Sequence, residues 1–304
     1  MISTLVDILK NLGELPYLII LKYPWLIKDD RKYIEYIWKH RMDYPLNLET
    51  PKRYNEKLQW IKLYDRRDIY TTMVDKCEVK KYVASIIGDE YIIPTLAVWT
   101  NVDDIDIDKL PNQFVLKTTH DSGGVAICKD KNNFDLQKAK EKLQYSLKRD
   151  FYILGREWPY KNVPRRIIAE QYMEDVETKE LRDYKFFCFN GVPKALFIAT
   201  DRQNRKEPYF DFFDMEFNHL DMRHGHPNAP HLPEKPKQFE LMKELAAKLS
   251  KGYPHLRVDL YEVNGKVYFG ELTLFHHTGM VNFEPEVWDD TFGEWIDCHV
   301  YDKK

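Results

Sequence analysis

The stretch Arg257–Gly279, RVDLYEVNGKVYFGELTLFHHTG, decides how the rest of this sequence is interpreted. Val258 and Leu260 alternate with polar residues before the pair Asn264-Gly265, and a second alternating run follows. Alternation on both sides of an Asn-Gly pair predicts a β-hairpin with one apolar face and one face of polar and charged residues. The charged residues of the stretch should therefore lie on the second face.

The register of this hairpin determines which charged side chains share a face. A strict two-residue Asn-Gly loop places Asp259 opposite Gly270 and turns Glu271 to the other face. A three-residue loop with Gly265 left-handed in a bulge places Arg257 opposite Glu271, with Asp259 on the same face. We expect the second register, because it brings the two carboxylates together.

Two carboxylates on one rigid face suggest a metal and nucleotide site. Carboxylate oxygens are hard ligands suited to magnesium that carries a nucleotide phosphate, and an adjacent guanidinium can hold a transferring phosphoryl group. The alternative is an edge hairpin with a surface Arg-Glu pair, because such pairs are common and contribute little stability. This stretch alone leaves both interpretations open.

Length and composition exclude several classes of protein. A chain of 304 residues with 43% hydrophobic and 14% aromatic residues is long enough to fold into more than one subdomain. The net charge of -3 and the pI near 6.4 argue against nucleic acid as a partner. The sequence has four cysteines without CxxC spacing: Cys77, Cys128, Cys188 and Cys298. This distribution argues against a disulfide framework or a structural zinc site and favours a cytoplasmic location.

An apolar segment, Leu15–Ile27, lies near the N-terminus. It is shorter than the roughly 20 residues of a spanning helix, and Lys22 and Pro24 interrupt it. We interpret residues 1 to about 45 as two amphipathic helices that dock on the body of the protein. Peripheral membrane contact through this apolar segment is the alternative.

Three lysines lie on or before the strand that leads into a glycine loop. Lys76 and Lys80 are predicted to lie one turn apart on a helix that ends at Gly88, where they would reach a phosphate or simply form a solvated face. Residues 113–129 predict a strand, a lysine, a glycine loop and a second strand: Lys117 ends the first strand and the loop contains Gly123 and Gly124. Backbone N–H groups of such a loop can close on phosphates, although a Gly-Gly pair is also common in plain hairpin turns.

Three other stretches carry candidate chemistry. Residues 166–173 predict a buried strand whose polar and aromatic end would contact a flat base, and a second Asn-Gly pair at 190–191 predicts a hairpin with Asp183 and Lys185 on one face. Residues 219–236 begin with His219 and contain three further histidines, His224, His226 and His231, whose spacing matches no common zinc pattern.

Five motifs in order resemble the ATP-grasp superfamily of carboxylate-amine ligases: LNLETPKRYNEKLQWIKLYD, VDKCEVKKYV, FVLKTTHDSGG, DYKFFCFNG and GELTLFHHTG. They look most like its TupA-like branch, which is linked to teichuronopeptide and other surface-polysaccharide synthesis. The resemblance runs from about Leu46 to the C-terminus. It implies an α/β (α+β) fold that holds the nucleotide between two antiparallel-sheet subdomains, with a helical N-terminal extension.

The resemblance also suggests a division of the chain and a set of site residues. We assign residues 1–70 to the helical region, 71–173 to a small subdomain with the glycine loop, and 174–304 to the subdomain with the metal site. ATP and Mg²⁺ are the implied cofactors. The ATP-binding residues would be Lys76, Lys80, Lys117, Gly123, Gly124, Glu170, Gln171, Tyr172, Met173, Glu180, Asp183 and Lys185.

The remaining implied roles fall on the hairpin. Arg257 would steady the phosphoryl group, and Asp259 and Glu271 would bind magnesium. The third metal-side position is usually Asn in the superfamily and is Thr273 here, a poorer ligand. His276, His277 and Gly279 either bind the acceptor or form a packed loop.

The implied reaction phosphorylates a carboxylate with ATP and lets an amine displace the phosphate. We expect an amide on a uronic acid in capsule or wall polysaccharide, so a small or polymeric carboxylate and an amine are the expected partners. Two rivals remain. One is a sugar-nucleotide glycosyltransferase with a DxD site at Asp104-Ile105-Asp106, and the other is a non-catalytic ATP-binding scaffold of a polysaccharide complex, tethered by its N-terminal helices.

Overall fold

The computed structural model describes residues 15–201 and 207–298. Helices and antiparallel sheets are combined in one chain, so the mixed fold class is confirmed. The helices are α1 (15–22), α2 (Asp30–Arg41), α3 (Tyr54–Tyr64), α4 (Ile69–Val74), α5 (Glu78–Ile87), α6 (Leu136–Lys148), α7 (Phe151–Gly155), α8 (Phe239–Ser250) and α9 (Val287–Glu294).

The first sheet has four strands in the order β1-β4-β2-β3, all antiparallel. They are β1 (Thr95–Trp99), β2 (Phe114–Thr118), β3 (Val125–Cys128) and β4 (Ile167–Gln171). Phe114 and Leu116 are fully buried in a core that also contains Leu143 of α6. Because strand residues alternate, Val115 and Lys117 face the other side of the sheet.

The second sheet has five strands in the order β10-β9-β5-β6-β7, also antiparallel. They are β5 (Asp183–Phe189), β6 (Val192–Thr200), β7 (Tyr209–Phe213), β9 (Leu256–Val263) and β10 (Lys266–Thr273). Phe239 of α8 packs near Phe186, which pairs with Val258, so this helix covers the apolar face of β5 and β9. A small sheet pairs β8 (Arg223–His224) with β11 (Phe283–Glu284).

The central hairpin forms as predicted, but the expected three-residue loop is wrong. Val263 pairs with Lys266, which leaves only Asn264 and Gly265 in the turn, at φ of 52° and 75°. Asn and Gly tolerate these two left-handed positions, and a tight turn of this kind matches the twist of the flanking strands. The loop therefore needs no extra residue.

The extra residue lies instead within β10. The pairing shifts between Phe269 and Glu271, so Gly270 forms a bulge and Glu271 lies directly opposite Asp259. Thr273, not Glu271, lies opposite Arg257. Directly opposed residues project from the same face of an antiparallel pair. The prediction that the two carboxylates share a face is thus confirmed, although a different bulge brings them together.

Lys76 and Lys80 do not lie on one helix as predicted. The chain breaks between α4 and α5, and Lys76 falls in the connection. Asp75 accepts a hydrogen bond from the Cys77 N–H at 2.9 Å and pairs with Arg166 Nη2 at 2.6 Å. A buried carboxylate that satisfies a local N–H and a distant guanidinium stabilises the break.

The N-terminal helices pack as a separate apolar cluster. Residues Tyr33, Ile34, Ile37 and Trp38 of α2 are buried together with Met280. Part of the predicted two-helix region, residues 1–14, lies outside the described residues. Among the helices that the structure describes, none combines the length and apolar character needed to cross a membrane.

Candidate functional site

A cleft of about 470 Å³ lies between the two large sheets. Its lining includes ten residues that the sequence analysis assigns to ATP or metal, although they are spread over most of the chain. They are Lys76, Lys80, Lys117, Gly123, Glu170, Gln171, Tyr172, Met173, Glu180 and Glu271. Apolar side chains such as Val79, Ile127 and Phe269 complete the walls. The cleft therefore combines an apolar surface for a flat ring with several charges.

Two lysines on one wall share a buried carboxylate. The Nζ atoms of Lys80 and Lys117 lie 2.5 Å from the two oxygens of Glu170. Burial alone would raise the pKa of Glu170, but the two ammonium groups hold this pKa below its usual value. Since two positive charges share one negative charge, this wall has an excess positive charge suited to phosphate.

The glycine loop is anchored at its base and open at its tip. The Asp121 carboxylate accepts hydrogen bonds from the hydroxyls of Thr118 and Ser146. The backbone carbonyl of Asp121 accepts a hydrogen bond from Lys76 Nζ. A Cβ at Gly124 would lie 1.9 Å from Thr118 Oγ1, whereas a Cβ at Gly123 would meet nothing within 4 Å. Gly124 thus packs against the base of the loop, outside the lining of the cleft, and Gly123 lines the cleft.

A row of charges crosses the second sheet beside the cleft. Lys185 pairs in register with Asp259, which pairs with Glu271 on the next strand. The Asp259 carboxylate accepts hydrogen bonds from Arg257 Nε at 2.7 Å and Nη2 at 2.8 Å, and a further one from Lys185. Burial would raise the pKa of Asp259, but these two cations lower it, so the carboxylate is ionised at neutral pH.

Glu271 differs from Asp259 in that its carboxylate is available. Within residues 15–201 and 207–298 it has no hydrogen bond or ion pair to a protein side chain, and it faces the cleft. The neighbouring Thr273 hydroxyl accepts a hydrogen bond from Arg257 Nη2 at 2.8 Å. The donor set therefore offers magnesium one unengaged carboxylate and one shared carboxylate, while the Thr273 oxygen is already used.

The other predicted residues lie outside the lining of the cleft. Asp183 and Lys185 are buried in β5. Arg257 Nη1 donates to His276 Nδ1 at 2.6 Å, which places His276 and His277 beyond the guanidinium as seen from Asp259. A Cβ at Gly279 would meet Gln59 Nε2 at 2.5 Å, so this glycine allows α3 to approach closely. An acceptor role for this turn stays a prediction.

The sequence analysis missed a buried lysine close to this turn. Lys62 is fully buried, and its Nζ donates to the Thr278 carbonyl at 2.9 Å and to Gln59 Oε1 at 2.8 Å. Burial lowers the pKa of Lys62 to about 8. Burial also raises the pKa of Glu157, which interacts with Lys62 and Glu271. Lys62 is in a quoted motif, but Glu157 follows a short connection without any pattern that indicates a site.

The acidic segment of the rival glycosyltransferase lies apart from this cleft. Asp104 and Asp106 do not line it, and Asp106 forms an exposed ion pair with Lys109 at 3.0 Å. Ile105 between them is buried in the core of the first sheet. The Asp106 carboxylate also accepts a hydrogen bond from the Asp108 N–H, so it stabilises a local turn outside the cleft.

Comparison with solved structures gives similarity of fold at low sequence identity. D-alanine–D-alanine ligase from Bacillus anthracis complexed with ATP is 16% identical, with a TM-score of 0.37, over 67% of this chain and 54% of that chain. The Helicobacter pylori D-alanine–D-alanine ligase is 13% identical, with a TM-score of 0.42, over 81% of this chain and 70% of that chain. ATP-grasp ligase PsnB, complexed with minimal precursor, Mg and ADP, is 6% identical, with a TM-score of 0.39, over 72% of this chain and 57% of that chain.

The chain spans 53% to 57% of the length of the first three solved structures that it matches. It has no significant match among curated proteins. A family model described as TupA-like ATPgrasp matches residues 56–297, which is well over half of the chain. This match covers both sheets, the cleft and the hairpin. The chain therefore belongs to the TupA-like ATP-grasp family.

Proposed function

We propose that this protein is an ATP-dependent ligase that joins a carboxylate to an amine through an acyl phosphate. One observation carries the proposal: lysines of the first sheet and the Glu271 carboxylate of the second line a single cleft. Phosphate groups need the positive wall, and a metal bound to phosphate needs carboxylate oxygens. Membership of an ATP-grasp family supports the same assignment.

The shape of the cleft supports ATP as the nucleotide. Val79, Ile93 and Met173 offer an apolar surface for a base. Gln171 and Tyr172 line the cleft at the end of β4, and their backbone groups would provide polar contacts to the base edge. The phosphates would then extend along Lys80 and Lys117 under the tip of the glycine loop.

The residues also fit a magnesium ion. Glu271 would supply an unengaged oxygen and Asp259 a shared one. Magnesium bound there would neutralise charge on the phosphates and polarise the phosphoryl group that is transferred. Arg257, held in orientation by Asp259 and Thr273, would stabilise negative charge on this group.

The proposed chemistry has two steps that conserve all atoms. An oxygen of the substrate carboxylate attacks the terminal phosphorus of ATP, the bond to the ADP oxygen breaks, and an acyl phosphate forms. An amine then attacks the carbonyl carbon, the C–N bond forms, the C–O bond to phosphate breaks and the amine loses a proton. Phosphorylation is needed because a free carboxylate is a poor electrophile. The cleft's walls limit the access of water to the acyl phosphate.

We further propose a uronic acid as the carboxylate and an amino acid or amino alcohol as the amine. Support comes from the link between the TupA-like branch and surface polysaccharides. The product would be an amide in capsule or wall polysaccharide, formed in the cytoplasm or at the membrane surface. The exposed Leu18 and Trp25, which are 51% and 55% exposed, offer apolar contacts for a peripheral membrane or complex association.

The test measures phosphate release from ATP and Mg²⁺. Glucuronic and galacturonic acids, and a pool of amino acids and amino alcohols, are supplied separately and together. Sustained release is expected only with both pools, and hydroxylamine in place of the amines should yield a hydroxamate from the acyl phosphate. ATP binding with no release under any condition would contradict the ligase and favour the non-catalytic scaffold.

Replacement of Lys117 by methionine tests the phosphate wall. Met keeps the length of the side chain but removes the charge that faces the cleft. We expect the Kd for ATP to rise about 10- to 100-fold, because a hydrogen bond to a charged group contributes about 1.5–3 kcal/mol. Calorimetric titration with ATP measures this change.

Lys129→Met is the matched control for this substitution. Lys129 follows β3, is half exposed and forms an ion pair with Glu174 at 3.0 Å, outside the lining of the cleft. Its replacement should leave ATP affinity within twofold of the wild type. Equal losses in both variants would contradict a specific role for Lys117.

A further inference from the structure

Three histidine rings meet where the small sheet contacts the turn after β10. His224 belongs to β8, and His276 and His277 follow the metal-side strand. One ring nitrogen from each lies within 4.8 Å of the others. The pairing of His224 with Phe283 brings β8 to this place, although His224 is 52 residues from His276 in the sequence. These three residues are called the histidine cluster below.

Each ring of the histidine cluster has a buried nitrogen that lacks a hydrogen-bond partner among the described residues. These atoms are His224 Nδ1, His276 Nε2 and His277 Nε2. His224 and His276 are 0% and 2% exposed. A buried polar atom without a partner costs about 1–3 kcal/mol, so three of them at one point indicate a ligand.

The orientation of His224 is that of a metal ligand. Its Nε2 donates a hydrogen bond to the Val281 carbonyl at 3.0 Å, which leaves the lone pair on the buried Nδ1, an atom without a partner among the described residues. Histidines that bind metals usually donate the other ring N–H to a carbonyl or carboxylate in this way. The hydrogen bond fixes both the tautomer and the ring plane.

The space beside His277 is kept open by a glycine. A Cβ at Gly225 would lie 2.9 Å from His277 Nε2, and Gly225 has a φ of 79° that side chains rarely adopt. Any other residue would close over the nitrogen. None of the three histidines lines the cleft between the sheets, so the cluster is separate from the proposed nucleotide site.

The charge of Arg257 next to the cluster is already compensated. Arg257 Nη1 donates to His276 Nδ1 at 2.6 Å, while its Nε and Nη2 bind the buried Asp259 carboxylate. The neutral His276 ring therefore carries its proton on Nε2. Metal binding at this nitrogen would release that proton to solvent and hold the ring as an imidazolate, whose negative charge the Arg257 guanidinium at Nδ1 would stabilise.

We propose that His224, His276 and His277 form a binding site for a divalent ion of the zinc class. Imidazole nitrogens without carboxylates suit Zn²⁺, Co²⁺ or Ni²⁺ and not Mg²⁺. Three atoms no more than 4.8 Å apart have a common point within about 2.8 Å of each, and small side-chain shifts would reach the Zn–N distance of about 2.0–2.1 Å. The ion would join β8 to the turn that contacts Arg257.

Cobalt provides the direct test because it gives a visible spectrum in nitrogen sites. The full-length chain without a histidine tag is treated with EDTA, dialysed and titrated with Co²⁺, then with Zn²⁺. We expect one Co²⁺ per chain, ligand-field absorption that Zn²⁺ displaces and excess Mg²⁺ does not, and a higher Tm with Zn²⁺. Absence of the absorption in the wild type would overturn the proposal without reference to ligase activity.

Variants assign the site to the histidine cluster. His277→Asn keeps a residue that tolerates the φ of 50° at this position, and His224→Gln removes the second ligand. Each should weaken Zn²⁺ binding at least about 100-fold. His231→Gln, on the exposed part of the same loop, is the control and should bind like the wild type. Circular dichroism in EDTA checks folding, and unchanged Zn²⁺ affinity in both cluster variants would refute the assignment.

Discussion

Replacement of Glu271 by glutamine is expected to reduce ATP turnover about 1,000-fold while the protein still folds and binds ATP. Glutamine has the same shape but lacks the charge that a metal bound to phosphate requires, and loss of one group that stabilises a transition state costs about 10²–10³ in rate. Among the described residues the Glu271 carboxylate makes no hydrogen bond or ion pair that its loss would break. ADP formation in the presence of Mg²⁺ and substrate pools measures the change.

The control is Glu234→Gln, which removes the same charge from an exposed residue outside the cleft. Its turnover should equal that of the wild type. ATP affinity measured without Mg²⁺ should be similar in both variants, because the lysine wall is intact. Normal turnover of Glu271→Gln would refute the metal assignment, and a loss of ATP affinity would point to a role in nucleotide binding instead.

Replacement of Asp259 by alanine is expected to lower the free energy of unfolding by about 3–5 kcal/mol. Arg257 and Lys185 both depend on this carboxylate and are buried. Removing one partner of a buried ion pair leaves uncompensated charge in a medium of low dielectric constant. Urea unfolding at neutral pH, with the slope compared between variants, measures the loss.

An exposed ion pair provides the comparison. Lys237 and Glu177 lie 2.9 Å apart, and their side chains are 68% and 75% exposed. Glu177→Ala should change the free energy of unfolding by less than about 1 kcal/mol, since water screens the lost interaction. If the two substitutions had equal effects, the buried row would not stabilise the second sheet as described.

Local patterns predicted the hairpin and its face of polar and charged residues well. The alternation around Asn264-Gly265 is a property of neighbouring residues, and this turn forms in any context that lets the strands pair. The same holds for the strand that contains Lys117 and for the glycine loop after it. These elements could be predicted because their stability depends on residues that are close in the sequence.

Distant partners explain what the sequence analysis missed. The break at Asp75 depends on Arg166, which lies 91 residues away, and the Lys80–Glu170 pair joins residues from α5 and β4. His224 approaches the turn at 276–277 only because β8 pairs with β11. Periodicity within a window of a few residues contains no information on such contacts.

The bulge at Gly270 adds one residue to the second strand of the hairpin between the turn and the carboxylate. Asp259 is five residues before Asn264, whereas Glu271 is six residues after Gly265. In a regular ladder of the same length, Gly270 would lie opposite Asp259 and Glu271 opposite Val258, so Glu271 would face the α8 side of the sheet with no change in any charged residue. In alignments of related chains, a one-residue gap at Gly270 would therefore remove the bulge and still leave the two carboxylates opposite each other.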